Sequence, residues 1–267
     1  MWPKLLAPFF LQQPYLLHGL GLIPEPTKLP LTVRADDATV QTILLPADIN
    51  PIFYFFGNSL PESWATVPQQ APGLPPLYRK DNGPYWFEYL AQDKAVYFQY
   101  RRVREDPDES FEDFCQRLFS FINDNETEKL IIDLRRNAGG NTFLHRPLLL
   151  GLIRNEKINQ RGKLFVIIGR NTFSAAINAS TMIEDYTNAI FVGEPTGASP
   201  NFVGETTLVT LRHSQLQFSI SDLYWQTSWP MDHRRWIAPR LYIPPSFAAY
   251  RINRDPALEA ILAYSEP

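Results

Sequence analysis

From about residue 94 the apolar and polar positions of this 267-residue chain settle into a regular succession. In DPDESFEDFCQRLFSFIND, Phe111, Phe114, Leu118, Phe121 and Ile122 recur at helical spacing behind an Asp/Ser cap, which predicts an amphipathic helix. KLIIDL (129–134) is a short strand of the buried type. FLHRPLLLGLIRN reads as a helix, KLFVII (163–168) as a strand, SAAINASTMIEDYT (174–187) as a helix and AIFVG (189–193) as a strand. Strands and helices alternating at this spacing predict an α/β core of parallel strands joined by crossover helices. TTLVTL and QLQFSIS then form a predicted hairpin. DPALEAILAY (255–264) forms a terminal helix capped by Asp255, with Pro256 in its first turn.

The first 92 residues have a different texture, with a large share of the chain's 24 prolines. LTVRA (31–35) and TVQTILL (39–45) flank two aspartates and read as a hairpin, and PYWFEYL (84–90) with KAVYFQYRRV (94–103) reads as a second strand pair. The opening stretch, MWPKLLAPFFLQQPYLLHGLGLI, is apolar but broken by prolines and glutamines, and it lacks a small-residue cleavage site. It is expected to be a helical piece, the remnant of a truncated upstream region, and not a signal peptide. The change of texture places a boundary near residue 92.

Composition narrows the function. A hydrophobic content of 45% and an aromatic content of 13% suffice for a real core. A net charge of −3 without a Lys/Arg run argues against nucleic acid as a partner. No run reaches the roughly 18 apolar residues of a membrane span. The single cysteine, Cys115, excludes an internal disulfide or a CxxC metal site, and its phenylalanine neighbours mark it as a core residue. The four histidines (His18, His145, His213 and His233) show no metal-binding spacing, and no cofactor is expected.

Three loops follow predicted parallel strands, where α/β folds build their sites. The first, LRRNAGGN (134–141), contains Gly139 and Gly140, and adjacent glycines can turn sharply and present N–H groups to an oxyanion. The same pair is also what an ordinary tight turn uses. The second, GRNTFS (169–174), places Ser174 at the start of a helix. Its hydroxyl is either a nucleophile, with the Ala175 N–H beside it at the positive helix end, or a helix cap. The third, GEPTGASPN (193–201), offers Thr196, Gly197 and Asn201 as pocket walls, or is a plain surface turn.

Taken together and in this order, LIIDLRRNAGGN, GRNTFSAAINAS and AIFVGEPTG resemble the carboxy-terminal processing (tail-specific) serine peptidases, a superfamily that includes the tricorn protease core and the interphotoreceptor retinoid-binding modules. The resemblance spans about residues 94–265, with a fourth similar segment at WIAPRLYIP. It implies a Clp-protease/crotonase-like α/β core, a ββα-type superhelix over 93–267. The helical and hairpin region 1–92 would form an appended cap. It further implies Ser174 as nucleophile, an oxyanion hole from the N–H groups of Ala175 and of Gly139 or Gly140, a peptide or protein substrate, and export from the cytoplasm.

Both bases of that superfamily are missing. Ser199 holds the lysine's place in the GEPT loop, and no lysine follows Lys163; Gln99 stands near the tricorn histidine's place. Asp232, near the place of the tricorn glutamate, and His233 are the remaining candidates, with His145, Glu194 and Glu205 further outside. Asp232 equally suits pairing with Arg234 or Arg235, and His233 a solvent-exposed loop. The implied function is serine-type peptide hydrolysis. The competing one is a degenerate binding module on the same scaffold, holding an apolar or peptide ligand. An active site of the first kind is expected to place the Ser174 hydroxyl within roughly 2.6–3.2 Å of a histidine or carboxylate, or somewhat farther without substrate; surroundings of Thr, Gln or backbone alone would weaken the catalytic assignment.

Overall fold

The computed structural model describes residues 14–35, 37–46, 73–79, 83–215 and 217–266. Most of the apolar opening stretch (1–13) and part of the proline-rich stretch before residue 73 lie outside the described residues. The chain divides into two compact units, Met1–Ser63 and Trp64–Pro267.

In the first unit a short helix, α1 (Pro14–Gly19), precedes the expected hairpin. Its strands are β1 (Lys28–Arg34) and β2 (Val40–Pro46), paired antiparallel from Lys28–Pro46 to Arg34–Val40.

The second unit begins, among described residues, with α2 (Pro76–Arg79), then β3 (Tyr85–Leu90) and β4 (Ala95–Tyr100). Three strand–helix repeats follow. They are α3 (Phe111–Asp124) with β5 (Lys129–Asp133), α4 (Arg146–Arg154) with β6 (Leu164–Ile168), and α5 (Ala175–Tyr186) with β7 (Ile190–Gly193). The six-stranded sheet has the order β12-β7-β6-β5-β4-β3, where β12 is Leu241–Tyr242. Every neighbouring pair is parallel except β3 with β4. The strand Tyr85–Leu90, which precedes residue 92, thus belongs to the central sheet.

The apolar runs are continuous because both sheet faces are covered. Val96, Phe98, Tyr100, Leu130, Ile132, Leu164 and Val166 share one core with Phe111, Phe114 and Leu118 of α3, Leu148 and Leu152 of α4, and Ala175 and Ile183 of α5. The alternate positions Tyr97, Ile131, Phe165, Ile167 and Val192 pack against Ala257, Leu258 and Ile261 of the terminal helix. All three crossover helices therefore lie on one face. Helix α3 is capped as its sequence predicts: Ser110 Oγ accepts from the Asp113 N–H at its start. Cys115 is buried in the first core, and burial pushes its thiol well above the ordinary range.

After β7 the chain runs out and back as a two-stranded ribbon. β8 (Asn201–Gly204) pairs with β11 (Leu223–Gln226), and β9 (Thr207–Thr210) with β10 (Gln217–Ile220). The chain closes with α6 (Phe247–Arg251) and α7 (Pro256–Leu262), and Asp255 caps α7 through the Leu258 N–H.

Candidate active site

The carboxyl ends of β5, β6 and β7 bring the three loops together. The first two are welded by hydrogen bonds whose partners are far apart in sequence. Thr172 Oγ1 donates to the Leu134 carbonyl (2.8 Å) and accepts from the Gly169 N–H (3.0 Å). The Phe173 N–H donates to the Asn137 carbonyl at 3.0 Å. Asn137, wholly buried, donates from Nδ2 to the Tyr100 carbonyl (2.9 Å) and accepts from the Gly139 N–H (2.9 Å).

This frame holds Ser174 at φ 53°, ψ −128°. A non-glycine residue there carries about 1–3 kcal/mol of backbone strain. The surrounding bonds tolerate that strain because they fix the turn from both sides. Ser174 occupies the N-cap position of α5, yet its side chain makes no capping hydrogen bond. The backbone closes the first turn instead, with the Ala176 N–H donating to Phe173 O (3.0 Å) and the Ile177 N–H to Ser174 O (2.8 Å). The capping alternative is thereby removed. A half-buried serine on a strained strand-to-helix turn is the backbone arrangement of a nucleophile elbow.

Gly139 packs directly on this serine: a Cβ added there would stand 2.6 Å from Ser174 Cβ, 2.9 Å from the Ala175 nitrogen and 3.0 Å from Ser174 Oγ. The Gly139 N–H is committed to Asn137 Oδ1. Among the described residues the Gly140 and Ala175 N–H groups have no hydrogen-bond acceptor.

No base reaches Ser174: among the described residues its hydroxyl has neither a histidine nor a carboxylate within hydrogen-bonding distance. His145 comes nearest in connectivity. Its Nε2 donates to the Ala175 carbonyl (2.8 Å), and its Nδ1 lies 3.4 Å from the Tyr100 hydroxyl. Both ring nitrogens are thus engaged, Nε2 by the first turn of α5 and Nδ1 by Tyr100 of β4. Burial pushes the imidazole down to about 4. The unfolded chain takes up this proton below about pH 6.5 and the folded chain only below about 4, so stability is lost as the pH falls through that interval. We expect roughly 3 kcal/mol of loss between pH 6.5 and 4. Urea titrations at a series of pH values should show it, and His145→Gln should flatten that limb.

Asp232 is nearly buried and held elsewhere. It accepts from Ser228 Oγ (2.8 Å) and from Arg234 Nη2 (2.8 Å) and Nε (3.0 Å), and Arg234 also forks onto Glu184. The Arg234 hydrogen bonds hold the Asp232 carboxyl down at about 2 despite its burial. His233 is exposed, and among the described residues neither is hydrogen-bonded to Ser174. Glu194 pairs with Arg170 at 2.5 Å, and Glu205 is exposed. Gln99 bridges Trp86 Nε1, the Leu77 carbonyl and the Tyr97 hydroxyl, so it is a core linker.

The third loop is built inward. Thr196 Oγ1 donates to Ala198 O and accepts from the Ile237 N–H, the Gly197 N–H donates to Thr172 O, and Asn201 is bonded to Ser228 and Trp229. Ser199 Oγ donates to Asn201 O. Asn178, one turn past Ser174, links Thr142 to Thr227 at the base of the ribbon, where the Phe143 and Trp225 rings lie 6.4 Å apart. Among the described residues no group of three or more His, Cys, Asp and Glu is arranged to hold a metal, and no helix is long and apolar enough to cross a membrane.

No protein-family model and no curated protein matches the chain. Solved structures do. The complex of mature CPAF with lactacystin superposes with a TM-score of 0.51 at 14% identity, covering 90% of this chain and 67% of that one. The chain shares the fold of mature CPAF. A protein from Bacteroides fragilis NCTC 9343 named as an S41 protease gives a TM-score of 0.47 at 14% identity over 88% of this chain, and the photosystem II D1 C-terminal processing protease gives 0.44 at 12% over 86%. The chain spans 64% and 61% of their lengths.

Within this peptidase fold, sequence reasoning missed the residues that shape the serine's turn. Asn137 and Thr172 sit inside the expected loops, and Tyr100 in the expected strand 94–103. Their signal was present only as polar or aromatic residues flanking the glycines, and each finds its partner across strands.

Proposed function

We propose that the chain is a serine-type hydrolase of peptide bonds, with Ser174 as its nucleophile. The observation that carries this reading is the strained, uncapped conformation of Ser174 against Gly139. The N–H groups of Ala175 and Gly140 serve as the oxyanion donors, since the Gly139 N–H is already bonded. Ser174 Oγ attacks the scissile carbonyl carbon and its proton passes to water. The carbonyl oxygen takes up negative charge against the two amides. Collapse breaks the C–N bond, the amine leaves with a proton from water, and a second water hydrolyses the ester. The ββα superhelix of the crotonase type belongs to the same proposal.

With no base on Ser174 among the described residues, the acceleration available is that of an oxyanion hole and substrate positioning, on the order of 10³–10⁴ over water. The enzyme should therefore be slow. A fluorophosphonate probe tests it: slow, stoichiometric labelling is expected for the wild type and none for Ser174→Ala. A wild-type protein that stays unlabelled over hours while remaining folded removes the proposal.

A further inference from the structure

On the α7 side of the sheet a cavity of about 220 Å³ opens at the carboxyl ends of β5, β6 and β7. Ser174 is not among its lining residues, although the loops that supply Arg136 and Asn171 to its wall lead on to Gly139 and Ser174. Its walls are largely apolar, from Leu77, Tyr78, Ile168, Ile243, Ala249 and Tyr250. The Tyr78 and Tyr250 rings meet edge to face at 5.9 Å. Among the described residues neither hydroxyl has a hydrogen-bond partner. Burial pushes the Tyr78 hydroxyl upward, so it stays a donor.

Four arginines line the cavity, and three of them are already matched. Arg135 is forked onto Asp133 and Asp255, Arg170 onto Glu194, and Arg254 onto Glu259. Arg136 is the exception. Its guanidinium stacks over the Tyr78 ring at 4.8 Å, and among the described residues it has no carboxylate partner. A guanidinium stacked through its face keeps its N–H edge available, and that edge matches a carboxylate in the bidentate mode. An aromatic box with one unmatched guanidinium and free phenol donors has the composition of an anion site with an apolar body. Drug-sized sites run to about 300–1,000 Å³, so this one suits a fragment-sized ligand.

We propose that the cavity binds a small apolar carboxylate, its carboxylate paired with Arg136 and its hydrocarbon body against Tyr78, Tyr250 and Ile243. The site does not depend on Ser174 being catalytic.

Phenylacetate and its neutral counterpart phenylacetamide separate the contributions in calorimetric titrations of the whole chain. Saturable 1:1 binding of the acid is expected with a dissociation constant on the order of 1 mM, and at least tenfold weaker binding of the amide. Arg136→Met should bring the acid down to the level of the amide, and Arg136→Lys should keep part of the difference. Ala249→Leu, which narrows the cavity without altering charge, should weaken both ligands, and Ser174→Ala should change neither. Arg136 is exposed, so an unchanged urea midpoint confirms that its variants fold. Absence of saturable binding, equal affinity for acid and amide, or unchanged binding in Arg136→Met or Ala249→Leu overturns the site.

Discussion

Arg135→Met is expected to destabilise the protein by about 3–5 kcal/mol, because it strands two buried carboxylates at once. Arg135 Nη2 lies 2.6 Å from Asp133 Oδ2 and 2.6 Å from Asp255 Oδ2, and its Nη1 lies 2.8 Å from Asp255 Oδ1. The side chains of both aspartates are 1% exposed. The Tyr97 hydroxyl donates to Asp133 at 2.5 Å, but a phenol cannot offset a charge. Burial alone would push the Asp133 carboxyl upward; the Arg135 charge and hydrogen bonds hold it below its ordinary range. Without the arginine that balance reverses, and the Asp133 carboxyl favours its protonated form in the folded state. The deficit should then narrow as the pH is lowered, since protonation relieves the folded variant more than the unfolded chain. Urea midpoints at pH 7 and pH 5 for wild type and variant test both the size and the pH dependence. A loss below about 1 kcal/mol at pH 7 would place the triad among ordinary exposed ion pairs and defeat the expectation.

Gly140→Ala should be comparably severe, by a steric route. Gly140 adopts φ 141°, and a Cβ there would lie 2.0 Å from the Val103 carbonyl oxygen and 2.7 Å from its carbon. Those atoms are backbone and cannot rotate away. They are also pinned, because the Val103 N–H donates to Gly139 O (3.0 Å) and Val103 O accepts from the Asn141 N–H (2.7 Å). Backbone strain and overpacking each cost about 1–3 kcal/mol, so a combined loss of about 2–6 kcal/mol is expected against a typical total of about 5–15. Whatever fraction remains folded should also label more slowly with the fluorophosphonate, since the Gly140 amide must move. A stable variant that labels at the wild-type rate would show that this amide takes no part in the chemistry.

The hydrophobic pattern made the core readable because both faces of the sheet are buried. KLIIDL and KLFVII became β5 and β6, and the spacing of Phe111, Phe114 and Leu118 became the buried stripe of α3. The helix expected from FLHRPLLLGLIRN begins instead with a 3₁₀ turn, Thr142–His145, before the α-helical part starts at Arg146. His145, buried in that turn, is used up by the Ala175 carbonyl and the Tyr100 hydroxyl. Asp232 and His233 in PMDHRRW are separate candidate bases by sequence, but Arg234 two residues on and Ser228 four residues back capture the aspartate. These captures are local and were partly legible as an Asp among arginines. His233 lies exposed, as the solvent-exposed alternative had it.

By itself the sequence determined the α/β alternation, the order of the glycine turn, Ser174 and the GEPT loop, and the lack of a lysine after Lys163. These are properties of periodicity and of residue identity, which need no partner to be read. Only the tertiary structure decided that, among the described residues, the Ser174 hydroxyl is uncapped and has no base, that Gly139 spends its amide on Asn137, and that Arg136 alone among the arginines of its cavity has no carboxylate partner among those residues. Each of these depends on how polar groups are shared across the fold, and Arg135 meets Asp255 across 120 residues. A hydrogen-bonding group can be recognised in a sequence, but the partner that satisfies it is chosen by packing.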